Sequence, residues 1–269
     1  MARARALVIT GYGLNCEAET SHALRLAGAD VHQVHLSDLI AGKKRLEDYQ
    51  LLALIGGFAF GDHISAGKVF ANRLKSRLRD PLETFIAGKG LVIGICNGFQ
   101  TLAKLGLLPG LGGDYGTQVT TLATNDSGVF RNAWIRLKGN AKSPCVFSKG
   151  IETLEVPIRH GEGKFCLKDE DVLRRLESDG QIVFRYASPE TGEPTMEYPH
   201  NPNGSVDAIA AICDPTGRVF GMMPHPEAFT SPFNHPHWLR QQMEGRLPEE
   251  GAGLKIFRNA VAVLEEEMK

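Results

Sequence analysis

Leu91-Val-Ile-Gly-Ile-Cys-Asn-Gly98 is the stretch that predicts how this chain folds. Its first five residues are continuously apolar and follow a Lys-Gly turn, which is typical of a buried strand. From Asn97 onward the apolar residues recur with helical spacing as far as Gly106, so a helix is expected there. Cys96 is therefore predicted to lie on a sharp turn between a strand and a helix.

This turn has the geometry of a nucleophile elbow, with Cys in the place that serine takes in G-x-S-x-G hydrolases. The glycines at positions 94 and 98 allow a strained turn, because they carry no Cβ. The helix that follows directs free N–H groups at the sulfur, which favours a thiolate. The alternative is a buried structural cysteine at the end of a strand.

Composition limits the classes of protein to which the chain can belong. The 269 residues carry a net charge of −1 and five scattered cysteines, and no two cysteines form a C-x-x-C pair. We therefore expect a cytoplasmic protein without a disulfide framework or structural zinc site, and without a nucleic-acid or membrane partner. No apolar run is long enough to cross a membrane, and the N-terminus does not resemble a signal peptide.

Strands and helices alternate through the first part of the chain, which predicts an α/β fold with a parallel sheet. In such a sheet the functional site lies beyond the carboxyl ends of the strands. A helix is expected over Val69–Ala87, kinked or divided by Pro81. The other expected elements up to the elbow are strands at 6–10, 31–36 and 51–55 and a helix at 16–26.

After Gly116 the pattern becomes richer in strands, which indicates antiparallel additions and one strand that returns to the centre of the sheet. Residues 230–253 are rich in Pro, His and Gly and are expected to form a surface excursion. We predict a single domain over 1–269 that ends in a helix. The expected later elements are strands at 119–124, 133–137, 154–158, 182–186, 208–212 and 219–223 and helices at 169–177 and 254–268.

Two glycine-rich segments suggest nucleotide sites, but neither pattern is complete. Gly11–Cys16 follows a strand as a dinucleotide fingerprint does, yet Cys16 stands where the third glycine belongs, and only Asp38 supports that interpretation. Gly61–Lys68 resembles a P-loop with one residue too many and with Val69 at the magnesium-binding position. We therefore expect no ATP site in this chain.

A thiol nucleophile needs a base, and His225 has the most suitable context of the nine histidines. It follows a predicted strand, and Pro226 fixes an extended backbone that lets Glu227 point the same way. Glu227 can then orient the imidazole while its other nitrogen faces Cys96. The alternative is a surface His-Pro loop. The pair His235 and His237 lacks further ligands, so no metal site is expected.

Acyl transfer also needs donors for an oxyanion. Gly56-Gly57, at the end of the strand that is expected beside the elbow strand, can present backbone N–H groups, and the N–H of Asn97 can be a second donor. A plain tight turn at Gly56-Gly57 remains compatible with this role.

Taken together and in order, these motifs resemble the class I (triad) glutamine amidotransferases, and more narrowly the glutaminase subunits of phosphoribosylformylglycinamidine synthase. The resemblance runs from Val8 to Pro226. The stretches that carry it are Asn15-Cys16, Gly56-Gly-Phe-Ala-Phe-Gly-Asp62, Gly94-Ile-Cys-Asn-Gly-Phe-Gln100, Pro157-Ile-Arg-His-Gly-Glu-Gly163, Asn201-Pro-Asn-Gly-Ser205 and Pro224-His-Pro-Glu227.

The resemblance implies a flavodoxin-like, doubly wound, mainly parallel sheet with antiparallel additions. It implies that Cys96 attacks the glutamine side-chain amide, that His225 and Glu227 complete a triad, and that a γ-glutamyl thioester is hydrolysed. The matching positions that would stabilise the oxyanion or hold the α-amino and α-carboxylate groups of glutamine are Gly57, Phe58, Asn97, Gln100, His160, Gly161 and Glu162.

The resemblance also implies partners. ATP and magnesium belong on a separate synthetase subunit that makes formylglycinamidine ribonucleotide in purine biosynthesis, with a small accessory subunit beside it. Ammonia would pass between the subunits along a protected path, and Gly61–Phe70 is the expected contact region. Two departures from the family pattern are Ala228, where Arg is usual, and a stretch Ser231–Gly253 that is longer than in short bacterial members.

Three other functions remain open at this point. The first is an amidotransferase for a different synthetase, such as those for guanylate, histidine or pyridoxal phosphate, which the 160–163 and 201–205 motifs disfavour. The second is a flavodoxin-like cysteine protein of the stress-response type, which lacks the late His-Pro-Glu. The third is a silent binding subunit, which an intact Cys96, His225 and Glu227 disfavour.

Overall fold

Nine of the strands form one large sheet within residues 3–269, the part of the chain that the computed structural model describes. The remaining two strands form a small antiparallel sheet of their own. In chain order the strands are β1 (Arg5–Thr10), β2 (Asp30–His35), β3 (Leu51–Leu54), β4 (Leu91–Ile95), β5 (Thr120–Ala123), β6 (Arg131–Gly139), β7 (Thr153–His160), β8 (Lys164–Leu167), β9 (Ile182–Ala187), β10 (Ile209–Cys213) and β11 (Val219–Met222).

The large sheet has the order β2-β1-β3-β4-β11-β10-β9-β6-β7. The pairings from β2 to β11 are parallel and those from β11 to β7 are antiparallel. This confirms the predicted α/β fold, with its parallel sheet, its antiparallel additions and its returning strand at Val219. The elbow strand β4 lies between β3 and β11, so the turns after all three strands meet at one edge.

The helices match their predicted positions with one division. The predicted helix Val69–Ala87 is two helices, which part at Leu78, where the backbone leaves the helical region (φ −133°, ψ 18°). Pro81 lies in the first turn of the second helix, where a missing N–H costs little. The helices are α1 (Glu17–Leu26), α2 (Leu36–Ile40), α3 (Lys68–Arg77), α4 (Arg79–Ala87), α5 (Asn97–Leu105), α6 (Glu170–Ser178), α7 (Trp238–Met243) and α8 (Leu254–Glu267).

Three elements were not predicted: helix α2, strand β8 and helix α7. Helix α2 begins at Leu36, where the sequence indicates only the end of a strand. Strand β8 has only four residues and follows a polar turn, so it shows no clear alternation. The excursion at 230–253 contains the short helix α7 and is anchored by the buried ring of His235. That ring packs against Trp134, with 4.8 Å between the ring centroids.

The core lies on both faces of the parallel strands. Every residue of β4 is buried, and so is every residue of α5, which packs against the sheet. This explains why β4 reads as an uninterrupted apolar run. Within residues 3–269, no helix combines the length and the apolar character that crossing a membrane requires.

Candidate active site

Cys96 sits on a strained elbow, as its sequence context predicts. Its φ of 52° and ψ of −106° are unusual for a residue with a Cβ. A Cβ on Gly98 would lie 2.0 Å from the carbonyl oxygen of Leu54, and one on Gly94 would lie 2.5 Å from Leu102 Cδ1. Only glycine fits at these two positions, which lets α5 pack closely enough to hold the strained cysteine in place.

The structure brings His225 and Glu227 together beyond the end of β11. His225 Nδ1 and Glu227 Oε1 are 2.6 Å apart, and both side chains are almost fully buried. The backbone N–H of His225 donates to the carbonyl of Pro157 at 2.8 Å. Two fixed points, one on the backbone and one on the ring, therefore determine where the imidazole lies.

The other ring nitrogen of His225, Nε2, is available to accept a proton. Nε2 has no hydrogen-bond partner within residues 3–269. Burial lowers the pKa of His225, but the negative charges of Glu227 and Cys96 outweigh it and raise that pKa well above its ordinary value. His225 is therefore an imidazole that takes up a proton readily.

The antiparallel half of the sheet reaches the elbow as well. The Cys96 Sγ lies 3.7 Å from the carbonyl oxygen of Arg159, near the end of β7. β7 is the edge strand of the sheet, whereas Cys96 follows the inner strand β4. The contact therefore requires the sheet to curve so that its edge approaches its inner strands. This closure could not be predicted, since nothing in the apolar pattern of a strand indicates how far a sheet curves.

Two backbone amides are free to stabilise an oxyanion. Among the hydrogen bonds of the described residues, none uses the N–H of Gly57 or of Asn97 as donor. Gly57 has a φ of 140°, and a Cβ there would lie 2.7 Å from Leu14 Cα, so this position requires glycine. The N–H of Phe58 already donates to Gly13 at 2.9 Å, so it is not a free donor in this structure.

The first glycine-rich segment, Gly11–Cys16, packs against the turn at Gly57. This packing accounts for the glycines of the segment, so a nucleotide site is not needed to explain them. The Gly13 carbonyl accepts from Phe58, and a Cβ on Gly13 would lie 2.6 Å from the Phe58 oxygen. A Cβ on Gly11 would overlap the His35 ring. These glycines allow the two turns to pack together.

Gln100 and Glu162 form one side of the site. Gln100 Nε2 donates to the Glu162 carbonyl at 2.5 Å, and Gln100 Oε1 accepts from Asn97 Nδ2 at 3.1 Å. The Glu162 carboxylate accepts from the Ser65 hydroxyl at 3.3 Å and from the Ala66 N–H at 3.1 Å. A negative group in this position suits the α-amino group of an amino acid.

His160 is buried in the turn before Glu162. Its Nδ1 is 3.2 Å from Asn125 Oδ1, and a Cβ on Gly163 would overlap its ring. Burial, followed by the positive charge of His225, lowers the pKa of His160 to about 3. His160 is therefore neutral and shapes the turn, whereas Gly161 beside it faces open space.

Asn125 is a residue that the sequence did not single out. Its side chain donates to the His160 carbonyl at 2.9 Å and accepts from the Gly163 N–H at 3.0 Å. Nothing around it in the sequence is distinctive, because its partners are far along the chain. The buried motif Asn201–Ser205 braces the same turn, since Ser205 Oγ accepts from the Phe165 N–H at 2.9 Å.

Residues 58–67, here called the rim loop, border the site. Phe60, Asp62 and Ile64 all have positive φ, and the Ile64 side chain is 90% exposed. Burial, with the charge of Glu162, raises the pKa of Asp62 to about 6. Asp62 Oδ1 accepts from Asn97 Nδ2 at 3.1 Å, which links the rim loop to the start of α5.

Comparison with known proteins identifies the family of this chain. The model of the CobB/CobQ-like glutamine amidotransferase domain matches residues 3–263. A phosphoribosylformylglycinamidine synthase subunit PurQ of Methanococcus maripaludis is 44% identical over 263 residues, which cover 96% of each chain. PurQ of Dehalococcoides mccartyi is 44% identical over 261 residues, or 97% of this chain and 98% of that protein.

A solved structure extends the comparison to the fold. A chain in the structure of PurLQS from Thermotoga maritima superposes with a TM-score of 0.70 at 29% identity, covering 98% of this chain and 100% of that one. The protein described here therefore belongs to the CobB/CobQ-like glutamine amidotransferases, in the family of the PurQ subunits of phosphoribosylformylglycinamidine synthase.

Proposed function

We propose that this chain is the glutaminase subunit of phosphoribosylformylglycinamidine synthase. It hydrolyses glutamine to glutamate and delivers ammonia to an ATP-dependent synthetase, which converts formylglycinamide ribonucleotide to formylglycinamidine ribonucleotide in purine biosynthesis. The observation that carries the chemistry is the strained Cys96 beside a buried His225 that Glu227 holds at 2.6 Å.

The reaction begins when His225 takes the proton of Cys96 and the sulfur attacks the side-chain amide carbon of glutamine. The carbonyl π electrons move to oxygen, and the N–H groups of Gly57 and Asn97 stabilise the resulting oxyanion. The C–N bond then breaks, His225 gives its proton to the leaving nitrogen, and ammonia departs. A γ-glutamyl thioester on Cys96 remains.

Water completes the cycle. His225 removes a proton from the water, whose oxygen attacks the thioester carbon, and the same two amides stabilise the second oxyanion. The C–S bond breaks, glutamate leaves, and the proton returns to the sulfur. Glu227 keeps the imidazole in one orientation through both proton transfers.

Glutamine is positioned by the turn after β7. The Glu162 carboxylate binds the α-amino group, and Gln100 holds this turn in place through the Glu162 carbonyl. Gly161 leaves open space for the rest of the amino-acid head group. The neutral His160 gives the turn its shape without adding a charge.

The partner is a synthetase subunit that supplies ATP and magnesium, with a small accessory subunit in the same assembly. We place the contact with it at Gly61–Phe70, because this segment borders the site and exposes Ile64 almost completely. Ammonia passes to the synthetase through a protected path, since ammonium formed in bulk water has no lone pair with which to attack.

The test measures glutamate release from glutamine by this chain alone and with the synthetase subunit, ATP and formylglycinamide ribonucleotide. The complete mixture should raise the rate at least tenfold. Cys96→Ala should abolish it, whereas the matched control Cys166→Ala, which removes a half-buried thiol on β8, should leave it unchanged.

Other outcomes would contradict parts of this assignment. Stimulation by a guanylate synthetase and not by the purine enzyme would overturn the choice of partner. Glutamate release that survives in Cys96→Ala would overturn the nucleophile.

A further inference from the structure

A second thiol lies beside the triad and has no part in the proposed reaction. Cys16 precedes α1, is 5% exposed, and packs against the turn at Gly56. A Cβ on Gly56 would lie 3.0 Å from Cys16 Sγ and 2.8 Å from His225 Cε1. The sulfur, one ring nitrogen of His225 and one carboxylate oxygen of Glu227 all lie within 4.8 Å of one another.

We propose that Cys16, His225 and Glu227 form a binding site for Zn²⁺, and that occupation of this site inhibits the glutaminase. Thiolate, imidazole and carboxylate are the three kinds of donor that zinc takes from proteins. Magnesium and calcium prefer sites built from oxygen atoms alone, so a sulfur donor selects against them.

The charges of the three donors suit a divalent cation. The Cys16 thiol loses its proton to solvent when the metal binds, and the thiolate and the Glu227 carboxylate then balance the two positive charges of zinc. Within residues 3–269, the one hydrogen-bond contact of the Cys16 sulfur is a long one, 3.6 Å to Asn15 Oδ1. Glu227 Oε2 is buried and has no hydrogen-bond partner in the described part of the chain, so a lone pair is available.

The site needs only a small rearrangement. Zinc lies about 2.3 Å from sulfur and about 2.0 Å from nitrogen or oxygen, so tetrahedral donors are roughly 3.3–3.7 Å apart. The 2.6 Å contact between His225 Nδ1 and Glu227 Oε1 must therefore open if both atoms become ligands, and any pair of donors wider than about 3.7 Å must close. Water takes the fourth position.

Inhibition follows from the overlap with the triad. An imidazole that binds zinc through one nitrogen, beside a carboxylate that binds the same ion, no longer has the partner that orients it. His225 then cannot accept the Cys96 proton and pass it to the leaving group. The proposed site does not include His235 and His237, the histidine pair considered in the sequence analysis. The His235 ring packs against Trp134 and Phe229.

The first experiment measures binding in the full-length Cys96→Ala protein, which removes the other thiol near His225. Zn²⁺ is titrated in competition with a chromogenic chelator, and one equivalent should bind. Adding Cys16→Ala should weaken binding at least thirtyfold, and adding Cys166→Ala instead should not change it. Equal affinity in the Cys16→Ala and Cys166→Ala proteins would overturn the site.

Two further measurements guard against misfolding of a variant. Glu227→Gln keeps the shape of the side chain but removes a charged ligand, and it should also weaken Zn²⁺ binding; unchanged affinity would overturn the site. Co²⁺ bound to the Cys96→Ala protein should show a thiolate-to-cobalt charge-transfer band. Persistence of that band after Cys16→Ala would also overturn the site.

The inhibition is measured on the protein with Cys96 intact. Zn²⁺ should suppress glutamate release, a chelator should restore it, and Cys16→Ala should raise the Zn²⁺ concentration for half inhibition at least tenfold. An unchanged value would overturn the inhibitory role. Absence of glutaminase activity before zinc is added would count against the proposed function, and the binding results would still decide the site.

Discussion

The elbow at Gly94–Gly98 and the rim loop at 58–67 border the same site and hold their backbones in different ways. Both contain non-glycine residues with positive φ: Cys96 in the elbow, and Phe60, Asp62 and Ile64 in the rim loop. Every residue of the elbow is buried between β4 and α5. The rim loop is only partly buried, with Phe58, Gly61, His63 and Ile64 exposed, and it makes polar contacts such as those of Ser65 and Ala66 with Glu162.

The difference teaches how strain is maintained at a functional site. In the elbow, close packing against backbone atoms leaves the nucleophile no other conformation, so its position does not depend on a partner. In the rim loop, the Phe60 N–H donates to the Tyr12 carbonyl and the Asp62 carboxylate accepts from the Asn97 side chain. Single hydrogen bonds of this kind can break and reform. We therefore expect the elbow to determine the chemistry and the rim loop to respond to the synthetase.

The largest effect should come from the base that faces the elbow. In the proposed reaction His225 carries the proton in both steps, so His225→Ala should lower kcat for glutamine hydrolysis by about 10⁴-fold. His63→Ala, at an exposed position in the rim loop, should leave kcat within about threefold. Comparable losses in the two variants would mean that the two regions do not differ as described.

A pair of glycine substitutions compares the two backbones directly. Gly98→Ala places a Cβ 2.0 Å from the Leu54 carbonyl, and that backbone cannot move. Urea unfolding should show a loss of at least about 3 kcal/mol.

Gly61→Ala tests the rim loop in the same way. Gly61 has a φ of 66°, and its Cβ would meet only the flexible His63 side chain at 3.3 Å. The loss should be about 1 kcal/mol, the cost of the left-handed conformation alone. A loss as large as that of Gly98→Ala would show that the rim loop is packed as rigidly as the elbow.

Asp62 makes the stability of the rim loop depend on pH. Its pKa rises from 3.8 to about 6 on folding, so between these values the folded protein keeps a proton that the unfolded chain has lost. The free energy of unfolding should therefore fall as pH rises from 4 to 7. Because the group is only half-buried, solvent screening limits this fall to about 1 kcal/mol.

The check is urea unfolding at pH 4 and pH 7. Asp62→Asn should remove this part of the pH dependence, and Asp48→Asn, at an exposed position away from the site, should retain it. An identical pH dependence in the wild type and in Asp62→Asn would contradict the assignment to Asp62.

The smallest effect on stability is expected at the tip of the rim loop. A substitution there should instead change the response to the synthetase. Ile64 is 90% exposed, so Ile64→Glu should change the free energy of unfolding by less than about 0.5 kcal/mol. It should nevertheless reduce the stimulation of glutamate release by the synthetase. Met243→Glu, an 82% exposed position in the 230–253 excursion, is the matched control and should not reduce it.

Local patterns predicted much of this molecule. The apolar run before Cys96, the helical spacing after it and the two glycines specified the elbow, because all of its determinants lie within a few residues. The same holds for His225 and Glu227, which a single proline separates. Helix boundaries were also close, apart from the break at Leu78, which precedes Pro81 by three residues.

Features that depend on distant contacts could not be predicted. Asn125 contacts His160 and Gly163, yet it has no distinctive neighbourhood in the sequence. Asp62 belongs to a recognisable motif, but nothing in that motif indicates its contact with Asn97. The approach of Cys16 to the triad is of the same kind, since the turn at Gly56 brings it there. These contacts depend on how the sheet curves and how turns pack, which no short-range pattern encodes.

The hydrogen bond from the His225 N–H to the Pro157 carbonyl has a consequence for aggregation. Strand β7 is the edge of the sheet, and an open edge invites pairing with another chain. Pro157 has no N–H to offer such a chain, and its carbonyl is already taken by the catalytic segment at 2.8 Å. Residues 225–227 thus also protect the edge of β7. Local opening there would displace the His225 ring and, at the same time, expose an unpaired strand edge that can associate with another chain.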